Sequence, residues 1–369
     1  VEIISLTGPD SHRLTMAPGV GSCTLGPRGE LRVAPGDHID WTVFDRFSTP
    51  AGSPWPRWFG YEGDDTGWVA WSRNRPIEGF TWTPRTAHDL DAGDARVGDL
   101  AVTLRHAPLR LVLPPGRFAA AGDLTLLTPL LPAGADCPPL HFAPDTAPTP
   151  AVPCALPPLP ALAAATSVTV AVPPLRQPFD CATLLQFPGV RHLVLSGSLT
   201  NVGALAALTG LTGLELRYVP DLSDLPPLDG WPGLTRLIVW NADDRAVRRL
   251  RAELRRSTRE WAYFSVSKPR TAEWFRTEYG LPFAGWPVRS ARGAVRAYRA
   301  AEASIRDAAT EADVEAAVHV FVRAINRLTR IETTEREDTA AAVRLLTVAT
   351  PLGDLSAAAE SWYDAVRMF

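Results

Sequence analysis

Residues 187–240 contain one phrase written three times: FPGVRHLVLS, LTGLTGLELR and WPGLTRLIVW. Overlaid, Val190, Leu193 and Leu195 match Leu211, Leu214 and Leu216, and these match Leu234, Leu237 and Val239, at offsets of 21 and then 23 residues. This period confines what the chain can fold into. Each copy holds one short strand with its apolar residues on one side and a return segment, and no copy can bury its apolar edge alone, so the copies must stack.

An L-x-x-L-x-L phrase recurring at about 20–29 residues is the signature of leucine-rich repeats. The outward positions of the three copies are then Arg191 or His192, Val194 and Ser196; Gly213, Glu215 and Arg217; and Arg236, Ile238 and Trp240. Less regular copies are expected upstream. VTLRHAPLRLVLPPG, DLTLLTPLL and PPLHFAP each offer a brief apolar alternation followed by proline, and Val168-Thr169-Val170 lies 25 residues before Leu193-Val194-Leu195. The segment 146–160, TAPTPAVPCALPPLP, reads as an extended connection or as a polyproline ligand.

Residues 1–97 read as a β-rich domain of short apolar runs between glycine and proline turns, among them the PG at 18–19. Six of the twelve tryptophans fall between Trp41 and Trp82. They either fill a thin core or form a stacking platform for a ligand, with Trp58, Trp68 or Trp71 beside a carboxylate from Asp64 or Asp65. HDLDAGD (88–94) has part of the spacing of a calcium loop but not the later glutamate.

After the third copy, Asn241-Ala-Asp-Asp opens a helix over about 244–257, with Val247, Leu250 and Leu254 on one face. Seven arginines lie in 245–259, and this is the one candidate surface for nucleic acid; otherwise they are a solvated face over the end of the array. REWAYFSV (259–266) reads as a further strand. From Lys268 the chain turns helical. Helices are expected at about 290–309, 311–329, 335–349 and 354–368, apolar at i, i+3, i+4 and i+7, with a near-capping box at Thr310 and an apolar Phe369 packed or at an interface.

No chemistry-bearing motif stands out. A phosphate-binding loop, a zincin helix, a nucleophile elbow and a dinucleotide fingerprint are all missing from the sequence, and no cofactor is expected. Cys23, Cys137, Cys154 and Cys181 are scattered without metal-ligand spacing. Lys268 is the only lysine among 37 basic residues, which with the abundance of alanine, proline and glycine points to a high-GC genome of actinobacterial type. IETTERED (331–338) is the densest charged phrase and reads as an acid/base cluster facing Asn326 or Arg323, or as an interhelical turn. The net charge of -3 gives no general attraction to nucleic acid or an anionic membrane. No run approaches a membrane span, and VEIISLTGPDSHRL lacks the form of a signal peptide, so a cytoplasmic protein is expected.

With its repeats followed by AEWFRTEYGLPFAGW (272–286) and IETTERED, the chain resembles a group of bacterial leucine-rich-repeat proteins described as gliding-motility-like or hypothetical, over about residues 165–345. The resemblance implies a repeat fold and brings no catalytic residues. The expected architecture is α+β: a β-rich N-terminal domain (1–97), a short leucine-rich-repeat solenoid with a βαβ cap (98–267) and a helical bundle (268–369). The expected function is a non-enzymatic scaffold or adaptor that binds another protein through Arg191, His192, Glu215, Arg217, Tyr218, Arg236, Ile238 and Trp240. The alternative is a ligand-binding or enzymatic module among the N-terminal tryptophans.

Overall fold

The computed structural model describes residues 1–15, 21–148, 152–328, 331–348 and 350–368. The turn expected at 18–19 and Phe369 lie outside them. The chain divides into two compact units, Val1–Ala272 and Glu273–Phe369.

The first unit is built on one sheet of twelve strands: β1 (Ser22–Gly26), β2 (Leu31–Arg32), β3 (Trp58–Glu62), β4 (Ile77–Thr83), β5 (Val97–Leu104), β6 (Arg117–Gly122), β7 (Leu140–Pro144), β8 (Ser167–Ala171), β9 (His192–Ser196), β10 (Gly213–Arg217), β11 (Arg236–Trp240) and β12 (Tyr263–Ser267). From β3 to β12 each strand lies beside the next in sequence. β1 sits between β3 and β2, and every pairing is parallel. The register sets one side chain per strand in a file: Cys23, Phe59, Phe80, Leu100, Phe118, Leu140, Val168, Leu193, Leu214 and Leu237. All ten are buried, and the file ends on Phe264 of β12, which is 51% exposed. A second file, Leu25, Tyr61, Trp82, Val102, Ala120, Phe142, Val170, Leu195, Leu216 and Val239, is buried as well. Each buried leucine or phenylalanine contributes about 1.5–3 kcal/mol of burial free energy, so the two long inner files carry much of the stability.

This sheet corrects the expected architecture. A separate β-rich N-terminal domain followed by a short leucine-rich-repeat solenoid does not form. The protein is α+β, with one large parallel sheet running from β1 to β12 and helices at the C-terminus. The physical reason lies in the inner file. Upstream of residue 140 its places are held by Cys23, Phe59, Phe80, Leu100 and Phe118, only one of them a leucine, so the leucine phrase stops while the ladder continues.

The returns are varied: several contain a 3-10 turn, two are α-helices, and His88–Asp91, Leu109–Val112 and Leu127–Leu130 pair in parallel as a second, smaller sheet. Aspartates recur in several of them. Asp40, Asp123 and Asp180 each accept from the backbone N–H two residues on, at 3.1, 3.1 and 2.9 Å, and Asp243 does so at the start of the helix Asp244–Arg256. Leaving the sheet, the chain repeatedly turns left-handed at the residue after a strand: Gly197 (φ 96°), Tyr218 (54°), Asn241 (51°) and Lys268 (50°). At Gly197 the turn brings the backbone so close to β8 that a Cβ would sit 1.7 Å from the Val172 carbonyl oxygen.

Both ends of the sheet are finished. A hairpin of Glu2–Ile4 and His12–Leu14 lies at the β2 end, where His12 Nε2 meets the Arg32 carbonyl at 2.7 Å. Near the other end, Ala246, Val247 and Leu250 of a helix at Asp244–Arg256 are buried in the same core as Trp231. This helix is α2; helix α1 is Gly67–Asn74. No helix among the described residues is long and apolar enough to cross a membrane.

α3 (Ala272–Thr277) starts on the last residue of the first unit and continues into the second, where it is followed by α4 (Val288–Arg306), α5 (Glu311–Asn326), α6 (Thr333–Val348) and α7 (Ala359–Val366). Thr310 and Asp313 form a full capping box on α5. Phe283, Trp286, Tyr298 and Phe321 meet edge-to-face or tilted in the core of this unit. IETTERED does not face Asn326. The Asn326 amide donates to the Val366 carbonyl and accepts from Met368 N–H, while Trp286 Nε1 donates to Asp338 at 2.9 Å.

Burial pushes the Asp338 carboxyl above the ordinary range and Glu335 and Glu337 add to this, against the Trp286 hydrogen bond. A carboxyl whose pKa is raised by folding adds stability below its unfolded pKa, and that increment is lost as pH rises through the folded pKa. Asp338→Asn keeps an acceptor for Trp286 and removes the charge. Its thermal midpoint, followed by helical circular dichroism, is expected to exceed that of the parent at neutral pH and to converge with it under acid conditions that protonate Asp338.

Candidate protein-binding face

The face of the sheet opposite the buried files is open along its length. Its middle row runs Thr24, Gly60, Thr81, Ala101, Ala119, His141, Thr169, Val194, Glu215, Ile238 and Ser265. From β4 to β8 this row is small residues and His141, a smooth floor. Large side chains stand toward either end.

Toward the N-terminal end, Trp58 lies across Gly79, where a Cβ would come within 2.0 Å of the indole ring, and its Nε1 donates to Glu78 at 3.2 Å. Trp68 and Trp71 project to the other side. They are buried in an aromatic core with Trp41, Phe44, Phe59 and Phe80, Trp68 stacking on Phe80 at 4.5 Å. Trp58 therefore shares no pocket with Trp68 or Trp71. The neighbouring carboxylates are committed to the fold. Asp65 accepts from Trp41 Nε1, Gly67 N, His38 Nδ1 and Ile39 N. Asp64 accepts from Arg85 N, Thr86 N and His88; burial alone would raise its pKa, but these donors together hold it below the usual range. In HDLDAGD, Asp89 pairs with Arg110, Asp91 caps Gly93 N and Asp94 faces Arg73 at 3.9 Å.

Toward the C-terminal end, β9 to β12 bring most of the expected binding residues together. The first outward row is Ser167, His192, Gly213, Arg236 and Tyr263, the second contains Glu215 and Ile238, and the third is Ala171, Ser196, Arg217, Trp240 and Ser267. Glu215 is the centre. Its Oε2 accepts from Arg217 Nη2 at 2.9 Å and its Oε1 from Arg236 Nη2 at 3.2 Å. The Arg236 guanidinium also lies 5.2 Å from the Tyr263 ring centroid, a cation–π distance. Tyr218, the left-handed residue that ends β10, sets its ring edge-to-face on Trp240 at 5.0 Å, with its N–H on the Trp240 carbonyl. Arg191 is exposed but precedes β9, out of phase with His192. Tyr263 is the member that sequence reasoning missed. Its strand was expected, but only the β11–β12 register sets it beside Arg236.

The arginines around α2 are largely engaged within the unit. Arg248 pairs with Asp244 at 2.8 Å, and Arg249 reaches Glu253 and the Leu225 carbonyl. Arg251 holds the Val266 carbonyl, and Arg259 those of Leu234 and Leu228. Four of the seven therefore bind carboxylates or backbone oxygens, which leaves a thinner basic surface than the sequence suggests.

No family model matches the chain, and no curated protein or solved structure is similar to it.

Proposed function

We propose that this chain is a non-enzymatic protein-binding scaffold or adaptor that engages its partner through the outward face of β9–β12. The observation that carries the reading is the solvent-facing grouping of Trp240, Tyr218, Ile238, Arg217 and Arg236 around Glu215. Aromatic and arginine side chains dominate interface energies because they bury much area and hydrogen bond at little entropic cost. Arg217, Arg236, Ile238 and Trp240 stand on strands and Tyr218 directly follows one, with the arginines held by Glu215 and Tyr218 packed on Trp240, so less freedom is lost on binding. A cytoplasmic setting fits the four cysteines, all of which are free thiols. Burial pushes the thiols of Cys23 and Cys181 up to about 12, which suits packing rather than reactivity.

The test is the triple substitution Arg217→Ala, Tyr218→Ala and Trp240→Ala, with Arg255→Ala and Arg256→Ala on α2 as the comparison. In affinity purification from the native host, proteins captured by the parent are expected to be lost with the triple variant, by about tenfold or more, and kept by the α2 variant. Equal recovery with the triple variant would sink the reading.

A further inference from the structure

We propose that the segment bound at this face is an acidic, extended polypeptide, with carboxylates against Arg217 and Arg236 and an N–H donor against Glu215; this rests on the protein-binding reading above. Two guanidinium groups share one carboxylate, so the cluster carries an uncompensated positive charge. The Arg217 and Arg236 side chains are 42% and 46% exposed, while Glu215 is 17% exposed. The cation edges thus face outward and the anion lies beneath them.

Each arginine presents the same side of its fork to Glu215, Nε and Nη2. A guanidinium has five N–H donors in a rigid plane, so the Nη1 groups of both remain for a ligand, and carboxylate is the planar acceptor that this fork matches. Arg236 is further held by the Tyr263 ring. The donors are fixed before a ligand arrives, which lowers the entropic cost of binding.

The geometry also favours an extended chain. Arg217 is two residues beyond Glu215 on β10, and Arg236 is paired with Gly213, two residues before it. The two cations therefore bracket Glu215 along the strand direction. Alternate side chains of an extended peptide project to one side about 7 Å apart, and the Arg236 and Arg217 positions lie about 13 Å apart along the strand direction, so acidic residues at every second position of such a peptide reach both cations across Glu215. The Tyr218–Trp240 pair flanks this track and offers an apolar anchor. A nucleic-acid strand suits the cluster less well, because its unbroken phosphate line would run over Glu215.

The test uses the full chain and three fluorescein-labelled probes: a Glu-Ser repeat peptide, a Lys-Ser repeat peptide of equal length, and oligothymidylate. Fluorescence anisotropy is expected to show binding of the Glu-Ser peptide alone. Arg217→Glu with Arg236→Glu is expected to weaken it by at least about tenfold, and Arg255→Glu with Arg256→Glu to leave it unchanged. Should charge reversal disturb folding, as judged by circular dichroism, Arg217→Gln with Arg236→Gln serves in its place with the same expected loss. Absence of Glu-Ser binding, equal binding of the Lys-Ser peptide, unchanged affinity in the arginine variants, or oligothymidylate binding lost in those variants would each overturn the proposal. If host partners still depend on Arg217, Tyr218 and Trp240 while the Glu-Ser peptide does not bind, the acidic segment is wrong and the binding face stands.

Discussion

Replacing Gly197 with alanine is expected to remove about 3–5 kcal/mol of stability, read as a large fall in the urea midpoint of the sheet unit. Two effects act together. The residue sits at φ 96°, where an L side chain is strained. Its Cβ would also be 1.7 Å from the Val172 carbonyl oxygen and 2.5 Å from the carbonyl carbon, both backbone atoms that cannot rotate away. Relief requires β8 and β9 to part at the residues just beyond them. There Val172 N–H donates to Ser196 O and Gly197 N–H to Arg217 O, so the displacement would break ladder contacts with the strands on both sides. Gly189 is the control. It lies eight residues earlier, a Cβ there meets nothing within 4 Å, and its φ is not positive. Gly189→Ala is expected to stay within about 0.5 kcal/mol of the parent. If the two variants unfold at the same midpoint, the close approach at Gly197 does not constrain the sheet.

The same turn shows what could be read from the sequence. Around residues 190–240 the phrase gave the strands and their inner files, because leucine at fixed offsets is the residue that fills the core there. Upstream, Phe59, Phe80, Leu100 and Phe118 occupy the same file at offsets of 21, 20 and 18 residues, close to the leucine period, but three of the four are aromatics among many others. Short apolar runs between glycine and proline turns suit a small antiparallel domain equally well, and because one face of this sheet is open its parallel strands alternate as antiparallel ones do, without the continuous apolar runs of a sheet buried on both faces. The aspartate that caps four of the returns, at Asp40, Asp123, Asp180 and Asp243, was a usable signal that hydrophobic periodicity alone passes over. On the proposed binding face, alternation was enough to place Glu215, Arg217, Arg236, Ile238 and Trp240 outward. It could not show that Glu215 holds both arginines, since that depends on the register between β10 and β11.

A chain ending at Trp240 is expected to lose cooperative folding, whereas a chain ending at Ala272 is expected to keep it. Cutting at Trp240 strips β12 from β11, uncovering the ladder beside Leu237 and Val239, which are fully buried in the parent. It also removes Ala246, Val247 and Leu250 of α2 from the core that contains Trp231. Losing two large apolar side chains from that core costs about 3–6 kcal/mol, and exposing the surfaces they covered adds to it. Against the 5–15 kcal/mol that typically separates folded from unfolded domains, this is enough to melt the end of the sheet. Three polar contacts go at the same time: Glu253 on Leu228 N–H, Arg249 on Leu225 O and Arg259 on Leu234 O, each holding a return segment beneath the last strands. Ending at Ala272 keeps all of these, and it keeps the Asn241–Arg270 hydrogen bond at 2.7 Å that ties the end of β11 to the segment after β12. The measurement is urea unfolding followed by tryptophan fluorescence. A sharp transition is expected for residues 1–272, and a broad or absent one for residues 1–240. A chain ending at Trp240 that unfolded as sharply as the longer one would show that β11 closes the sheet unaided, and that α2 and β12 are appended to a core already complete without them.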